Sequence, residues 1–211
     1  MHGNNATAAD ESRGIGFPRL YDLLILLLTR GRDAAYRARL LDLAAVAPGE
    51  RMLDIGCGTG TQAVAAWRRV QPGGSVLGVD LSENMLAAAR RKARRARADI
   101  VFRAADTASL PFTDASFDVV TLTTVMHMVP EAKRLAALRE AARVLRPGGR
   151  LLLVDYAGSL ASRTHLSAKH GPHGRFDLDL WRAPLATEGF GDIAHGPLGW
   201  LDLHFLRGVK K

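Results

Sequence analysis

Residues 53 to 60, Leu53-Asp54-Ile55-Gly56-Cys57-Gly58-Thr59-Gly60, constrain this chain more than any other stretch, because a buried strand runs there into a glycine loop and then a helix. Gly56 and Gly58 can take backbone angles closed to other residues, and without a Cβ they let a ligand come close to the main chain. That reads as a nucleotide-cofactor loop. Asp80 ends the next apolar run, Ser75-Val76-Leu77-Gly78-Val79, where a carboxylate can accept both hydroxyls of a ribose. A buried strand-end aspartate can instead cap the helix that follows, but Ser82, in Ser82-Glu83-Asn84-Met85, is available for that task.

The glycine spacing narrows the choice of nucleoside. A dinucleotide fingerprint, G-x-G-x-x-G, places its last glycine for close helix-strand packing beside a pyrophosphate. Here the third glycine comes one residue early and Thr61 stands in the expected place. A pyrophosphate cofactor is disfavoured.

Acid-x-Gly-x-Gly-x-Gly resembles motif I of the class I S-adenosylmethionine-dependent methyltransferases. The resemblance continues in register through Val79-Asp80-Leu81-Ser82, Ala105-Asp106, Phe117-Asp118-Val119-Val120 and Leu145-Arg146-Pro147-Gly148-Gly149, and covers residues 40 to 155. It implies S-adenosyl-L-methionine as cofactor. Gly56, Gly58 and Gly60 would pass beneath its methionine part, Asp54 would orient its ammonium group, and Asp80 would hold its ribose. Leu81 would pack on the adenine face, and Asp106, with the Ala105 backbone nearby, would accept from the adenine amino group. Asp106 could also merely cap a turn. Cys57, inside the loop, is read either as a reactive thiol or as a small residue that fits.

Around these blocks the chain alternates strands and helices. Strands are expected near 51–55, 75–80, 99–104, 117–122 and 149–155, with helices near 60–70, 82–97 and 131–145. Pro18 can open a helix through about residue 29, and Asp33 can cap a second one ending before Pro48-Gly49. Phe176 to Glu188 is a further helix candidate, and two runs near 192–196 and 200–207 would complete the sheet. The expected fold is α/β: a Rossmann-like, doubly wound, seven-stranded, mainly parallel sheet with an N-terminal helical cap. Its closing antiparallel hairpin is what the resemblance implies. A disordered arm (1–16) would precede one methyltransferase domain (17–211), with the cap at 17–47 and a substrate-pocket insertion at 156–176.

On the acceptor side, the fourth strand leads into Thr121-Leu122-Thr123-Thr124-Val125-Met126-His127-Met128, next to where the resemblance directs the sulfonium methyl, so Thr123 should border the cofactor. The segment lacks an Asn-Pro-Pro-Tyr sequence for gripping a planar nitrogen. His127 can be a general base, since imidazole titrates near neutrality, or a packed residue that orients a loop. Phe17-Pro18-Arg19-Leu20-Tyr21-Asp22, followed by Gly31-Arg32 and Arg37, resembles the entry to the quinone-biosynthesis and phospholipid N-methyltransferase group. By that resemblance Tyr21 would contact the methionine end or the substrate. The stripe Leu23, Leu24, Leu27 and Leu28 reads as core, with a membrane-facing lid as the alternative. His165, His170 and His173 stand among Gly171, Pro172 and Gly174 with no cysteine nearby, so no metal site is expected; with Arg175 they would suit a polar or anionic substrate.

The formal charge of +8 is uneven, because Arg90, Arg91, Lys92, Arg94, Arg95 and Arg97 fall on one helix with no acidic residue among them. They form either a solvated outer face or a patch for nucleic acid or anionic lipid. The apolar run Leu23 to Leu28 is too short to span a bilayer, and Met1-His2-Gly3-Asn4-Asn5 lacks the order of a secretory signal. A cytoplasmic enzyme is expected. The reading is methyl transfer to a small molecule: a quinone precursor, lipid head group or secondary-metabolite intermediate. Its rivals are an RNA methyltransferase using the arginine-rich helix and a cofactor-binding protein that transfers no methyl group. Peripheral membrane contact and a homodimer stay open.

Overall fold

Apolar residues occupy both faces of the central strands, as they must where helices cover a parallel sheet on two sides. In the computed structural model β1 (Arg51–Ile55) is buried after its first residue, and β4 (Phe117–Thr123) is mostly buried. With β2 (Ser75–Asp80), β3 (Ile100–Ala104) and β5 (Leu145–Tyr156) they form the parallel part of a seven-stranded sheet. The order is β3-β2-β1-β4-β5-β7-β6. β7 (Leu203–Lys210) runs antiparallel to β5 and pairs with β6 (Phe190–Pro197), giving the hairpin at the far edge. Chain direction across the sheet reverses between β1 and β4, and ligands of such sheets bind outside the strand ends at that reversal. The structure describes residues 31–157, 177–200 and 202–211, together with Pro18, Ile25, Leu27 and Thr29.

One core lies under α1 (Asp33–Leu43), α2 (Thr61–Val70) and α3 (Glu83–Ala96), with Leu40, Met52, Ala63, Leu86, Phe102 and Leu152 at its centre. The second lies on the other face under α4 (Glu131–Val144) and α5 (Arg182–Thr187), around Leu53, Leu122, Leu138, Leu151, Leu153 and Leu206. α3 starts where Ser82 accepts a hydrogen bond from the Met85 amide at 3.4 Å, satisfying one of the free N–H groups of a first turn.

Three local expectations need correction. Asp33 does not cap α1; it is the first helical residue and its carboxylate accepts from Arg37 Nε at 3.0 Å, while Arg32 takes the capping position without a side-chain bond. The helix expected over 176–188 divides into a 3-10 turn, Leu178–Trp181, and the short α5. Pro184 explains this, because it has no N–H to donate and is tolerated only in a first turn. β5 begins at Leu145 rather than 149, since a register shift between Phe117 and Val119 lets Leu145-Arg146-Pro147-Gly148-Gly149 join the strand. Of the leucine stripe, Leu27 is described and is 66% exposed, so it is not core. The expected arm at 1–16, most of the 18–29 helix, Leu23, Leu24 and Leu28, and residues 158–176 lie outside the described residues.

Candidate cofactor and acceptor site

The glycine loop connects β1 to α2 by a path that needs glycine. Gly56 has φ +68°, and a Cβ there would sit 2.2 Å from Val125 Cγ2, so the loop and the segment after β4 touch through a missing side chain. Gly60 has φ +76°, and its Cβ would come 2.8 Å from Ala89 of α3. The third glycine therefore supports close packing of loop on helix although it comes one residue early. Cys57 turns inward: its Sγ lies where a Cβ on Gly78 would meet it at 2.9 Å, and burial pushes the thiol up, which keeps it protonated. That disfavours the reactive-thiol reading. Its amide donates to the Val79 carbonyl at 2.9 Å, tying the loop to β2.

Beneath the loop, Asp54 is buried and takes one hydrogen bond, from Thr121 Oγ1 at 2.8 Å. Burial pushes its carboxyl up to about 6, against the pull of the Thr121 hydroxyl and the Arg37 charge. Asp54 Oδ2, Thr123 Oγ1 and both amide atoms of Gln62 are buried and have no hydrogen-bond partner among the described residues. An unpaired buried polar group costs about 1–3 kcal/mol, so several near one loop suit a ligand that supplies the missing bonds. A zwitterionic amino-acid moiety fits this donor set: carboxylate and hydroxyl oxygens can accept from its ammonium group, and the Gln62 amide can donate to its carboxylate.

At the end of β2, Asp80 accepts from the Gly58 amide at 2.9 Å and the Ser82 amide at 2.9 Å. It thus fastens the glycine loop to the start of α3 while Ser82 provides the cap. Burial, as the largest cause, raises its carboxyl above the ordinary value. Leu81, next along, is 66% exposed, an open apolar face beside the carboxylate. Ala105 donates its amide to the Asp80 carbonyl at 3.2 Å. Asp106 accepts from the Ala108 amide at 2.9 Å and Lys133 Nζ at 3.0 Å, and these bonds hold its carboxyl below the ordinary value. It does cap a turn, and it joins the end of β3 to α4.

His127 follows β4 in a short 3-10 turn, Met126–Met128. Its Nδ1 lies 2.8 Å from Asp155 Oδ1, and its amide donates to Asp155 Oδ2 at 3.2 Å. Asp155, buried at the end of β5, also accepts from the Tyr156 amide at 2.9 Å. The Tyr156 ring meets the imidazole edge-on, with centroids 5.2 Å apart. A carboxylate on Nδ1 favours that nitrogen as the proton-bearing one and leaves the Nε2 lone pair free to accept a hydrogen bond. Asp155 was missed by sequence reasoning, although the signal was present: an aspartate ending an apolar strand, as Asp54 and Asp80 do. Gln62 was missed as a site residue because it stands in no recognisable motif, and Arg37 was read only as part of the entry segment, its charge toward Asp54 being set by the packing of α1. Tyr21, His165, His170, His173 and Arg175 lie outside the described residues.

The arginine-rich helix is α3. Because α3 returns between the parallel strands β2 and β3, its last turns lie at the opposite end of the sheet from the glycine loop's strand ends. Arg91, Arg94, Arg95 and Arg97 are exposed, whereas Arg90 pairs with Glu83 and Lys92 donates to Thr59 Oγ1 at 3.0 Å. Among the described residues no group of His, Cys, Asp and Glu could hold a metal ion, and no helix is long and apolar enough to cross a membrane.

A doubly wound sheet with a closing antiparallel hairpin and a glycine loop at its reversal point is the architecture of a Rossmann-like methyltransferase. Residues 52–149 match the Methyltransferase domain family, and the chain is similar to the class I S-adenosylmethionine-dependent methyltransferases. It is similar to the demethylmenaquinone methyltransferase of Thermus thermophilus, 41% identical over 136 residues, which are 64% of this chain and 60% of that protein. It is also similar to the 27-O-demethylrifamycin SV methyltransferase of Amycolatopsis mediterranei, 42% identical over 122 residues, 56% of this chain and 43% of that protein. The chain thus spans about half the length of the curated relatives it matches. A SAM-dependent methyltransferase from Aquifex aeolicus shares the fold, with a TM-score of 0.71 at 18% identity over 92% of this chain and 99% of that one.

Proposed function

We propose that this protein transfers a methyl group from S-adenosyl-L-methionine to a hydroxylated small molecule, a quinone precursor or a secondary-metabolite intermediate. The observation that carries this reading is the His127–Asp155 pair at the carboxyl ends of β4 and β5, beside the unpaired groups under the glycine loop. The names of the relatives, which act on a demethylated menaquinone and a demethylated rifamycin, support the acceptor class.

When bound, the cofactor supplies a sulfonium methyl carbon that the acceptor attacks in line, the carbon–sulfur electron pair leaving on the thioether. The chain's own residues bind, align and remove a proton. Asp54 and Thr123 hold the ammonium group and Gln62 the carboxylate, with the main chain of Gly56, Cys57, Gly58 and Gly60 beneath. Asp80 takes the ribose hydroxyls, since each of its oxygens accepts one amide and keeps a second lone pair for a ligand hydroxyl. Leu81 covers the adenine, and Asp106 with the Ala105 backbone reads its amino edge. His127 Nε2 accepts the acceptor's hydroxyl proton, and Asp155 steadies the imidazolium that results. Proton removal of this kind contributes typically about 10²–10⁴ in rate.

The test is calorimetric titration with S-adenosylmethionine and its demethylated product, for the native protein and for Asp80→Ala, followed by an acceptor screen read by product formation. Binding lost in the variant supports the cofactor half. Absence of binding to either ligand by the native protein overturns it. Binding with no methylated product across phenolic, thiol and amine acceptors overturns methyl transfer.

A further inference from the structure

The face of β5 that carries Leu151 and Leu153 into the second core turns polar at Asp155, and the polar row continues sideways onto the hairpin. Asp155 pairs directly with His204 of β7. Paired residues on antiparallel strands project to the same face with Cβ atoms about 5 Å apart. His195 of β6 pairs with Leu206, two residues further along β7, and therefore shares that face. Asp179, on the 3-10 turn before α5, reaches both: its Oδ1 lies 3.5 Å from His204 Nδ1 and 3.7 Å from His195 Nδ1. Reading along the row, the groups run His127, Asp155, His204, Asp179, His195, with imidazoles and carboxylates alternating.

His204 repeats the arrangement of His127. Its Nδ1 is buried and turned toward a carboxylate, near enough for attraction but not aligned for a hydrogen bond. Its side chain is 25% exposed, and with Nδ1 buried that exposure belongs to the rest of the ring. Burying an imidazole nitrogen at the end of an apolar face is costly unless the ring has a partner to meet. Both imidazoles stand at the end of the sheet where the parallel strands finish, the side on which ligands of this architecture bind.

We propose that His204, backed by Asp179, is a second acceptor-binding imidazole, and that the acceptor carries two oxygen functions on one small ring, one facing His127 and the other His204. The inference rests on the methyltransferase reading above and adds the acceptor's second polar group. Asp155 stands between the two imidazoles, bonded to His127 and paired across the ladder with His204, so an acceptor that meets both rings needs two polar groups.

The probes are 1,4-naphthohydroquinone and 1-naphthol, titrated without oxygen into protein saturated with the demethylated cofactor product. Native protein should bind the dihydroxy compound about tenfold more tightly, the worth of one well-placed hydrogen bond. His204→Phe should bring that ratio to about one, leaving the affinities for 1-naphthol and for the demethylated cofactor unchanged. His204→Gln, which keeps a donor, should retain part of the preference, and Asp179→Asn should lose part of it. Unchanged cofactor affinity in each variant establishes that the site still folds. A ratio near one in native protein, an undiminished ratio in His204→Phe, or failure of both naphthols to bind while the demethylated cofactor binds would overturn the inference and leave the methyltransferase reading standing. Failure of the demethylated cofactor itself to bind native protein would overturn both.

Discussion

The glycine-loop floor, where we propose the cofactor lies, and the polar edge at His127, where we propose the acceptor lies, are built by different means. The floor is made largely of main chain: Gly56, Gly58 and Gly60 at positive φ, with the Gly58 amide donating to Asp80 and the Cys57 amide to the Val79 carbonyl. The edge is made of side chains, His127, Asp155, Asp179, His195 and His204, drawn from the 3-10 turn after β4, from β5, from the 3-10 turn before α5 and from the hairpin. A floor of main chain depends on missing atoms, so it tolerates no added one and can serve one cofactor through many acceptors. An edge of side chains depends on residues that can be exchanged singly, so specificity can change there without disturbing the floor.

The sharpest way to break this contrast is to add one carbon to the floor. Gly56→Ala places a Cβ 2.2 Å from Val125 Cγ2 at φ +68°. Overpacking and backbone strain together should cost about 4 kcal/mol. At roughly 2–4 °C per kcal/mol for a domain of this size, the thermal midpoint should fall by about 10 °C, with loss of cofactor binding. Adding Val125→Ala removes the two nearest carbons and leaves the Cβ at 3.1 Å, relieving most of the clash but not the strain, so calorimetry of the double variant should recover about half the loss. A single variant as stable as the parent would mean that the loop is not held as described.

The edge should respond in rate and not in cofactor affinity. Asp155→Asn keeps the shape but no longer fixes the His127 tautomer or steadies its charged form. It should lower kcat by about 10²–10³, close to what a positioned base contributes. Cofactor affinity should stay within about twofold of the parent, a change of under 0.5 kcal/mol. His127→Gln should lower kcat as far, and combining the two changes should cost little more, because the pair acts as one unit. If His127→Gln left kcat near that of the parent, His127 would be a loop anchor and not the base.

How far the two regions were legible in sequence follows from the same contrast. The floor lies within short motifs, so Asp54 to Gly60, Asp80 and the Ser82 cap can be read from neighbours on the chain. Strand positions followed from apolar runs that are buried on both faces. The edge depends on register: nothing in the local sequence pairs Asp155 with His204, because that pairing is set by the β5–β7 ladder. Helix and strand ends failed where tertiary pairing or a proline overrode the local pattern, at Leu145 to Gly149 and at Pro184.

Asp54 gives the floor one titratable part, and its effect should be smaller. Its carboxyl, pushed up to about 6 in the folded protein, holds a proton that the unfolded chain releases near 4. The native state therefore gains stability at pH 4 that is lost as pH rises through 6, and at pH 8 the buried carboxylate is a net cost. Asp54→Asn should stabilise the cofactor-free protein at pH 8 by about 2 kcal/mol, with little difference from the parent at pH 4. The same change should weaken cofactor binding, since the ammonium group loses its countercharge. Parallel thermal melts at the two pH values check the sign, and equal effects at both would contradict a raised Asp54.

The exposed arginines of α3 belong to neither region and should matter least. Arg91, Arg94 and Arg95 face solvent beyond the middle of a helix whose last turns point away from the strand ends. Replacing all three with Gln should change folding stability by less than about 0.5 kcal/mol per site, as for ordinary surface positions. Cofactor affinity and kcat should not move. A rival that methylates RNA through this helix makes the opposite claim, because losing three phosphate contacts should flatten the salt dependence of RNA binding by a log–log slope of about 2–3. Titrating a structured RNA into native and triple-variant protein between low and moderate salt separates the two. A steep slope in the native protein that collapses in the variant would move the acceptor site's partner from small molecule to nucleic acid. Shallow binding in both would leave α3 as a solvated face, and the edge at His127 and His204 as the place where acceptors are chosen.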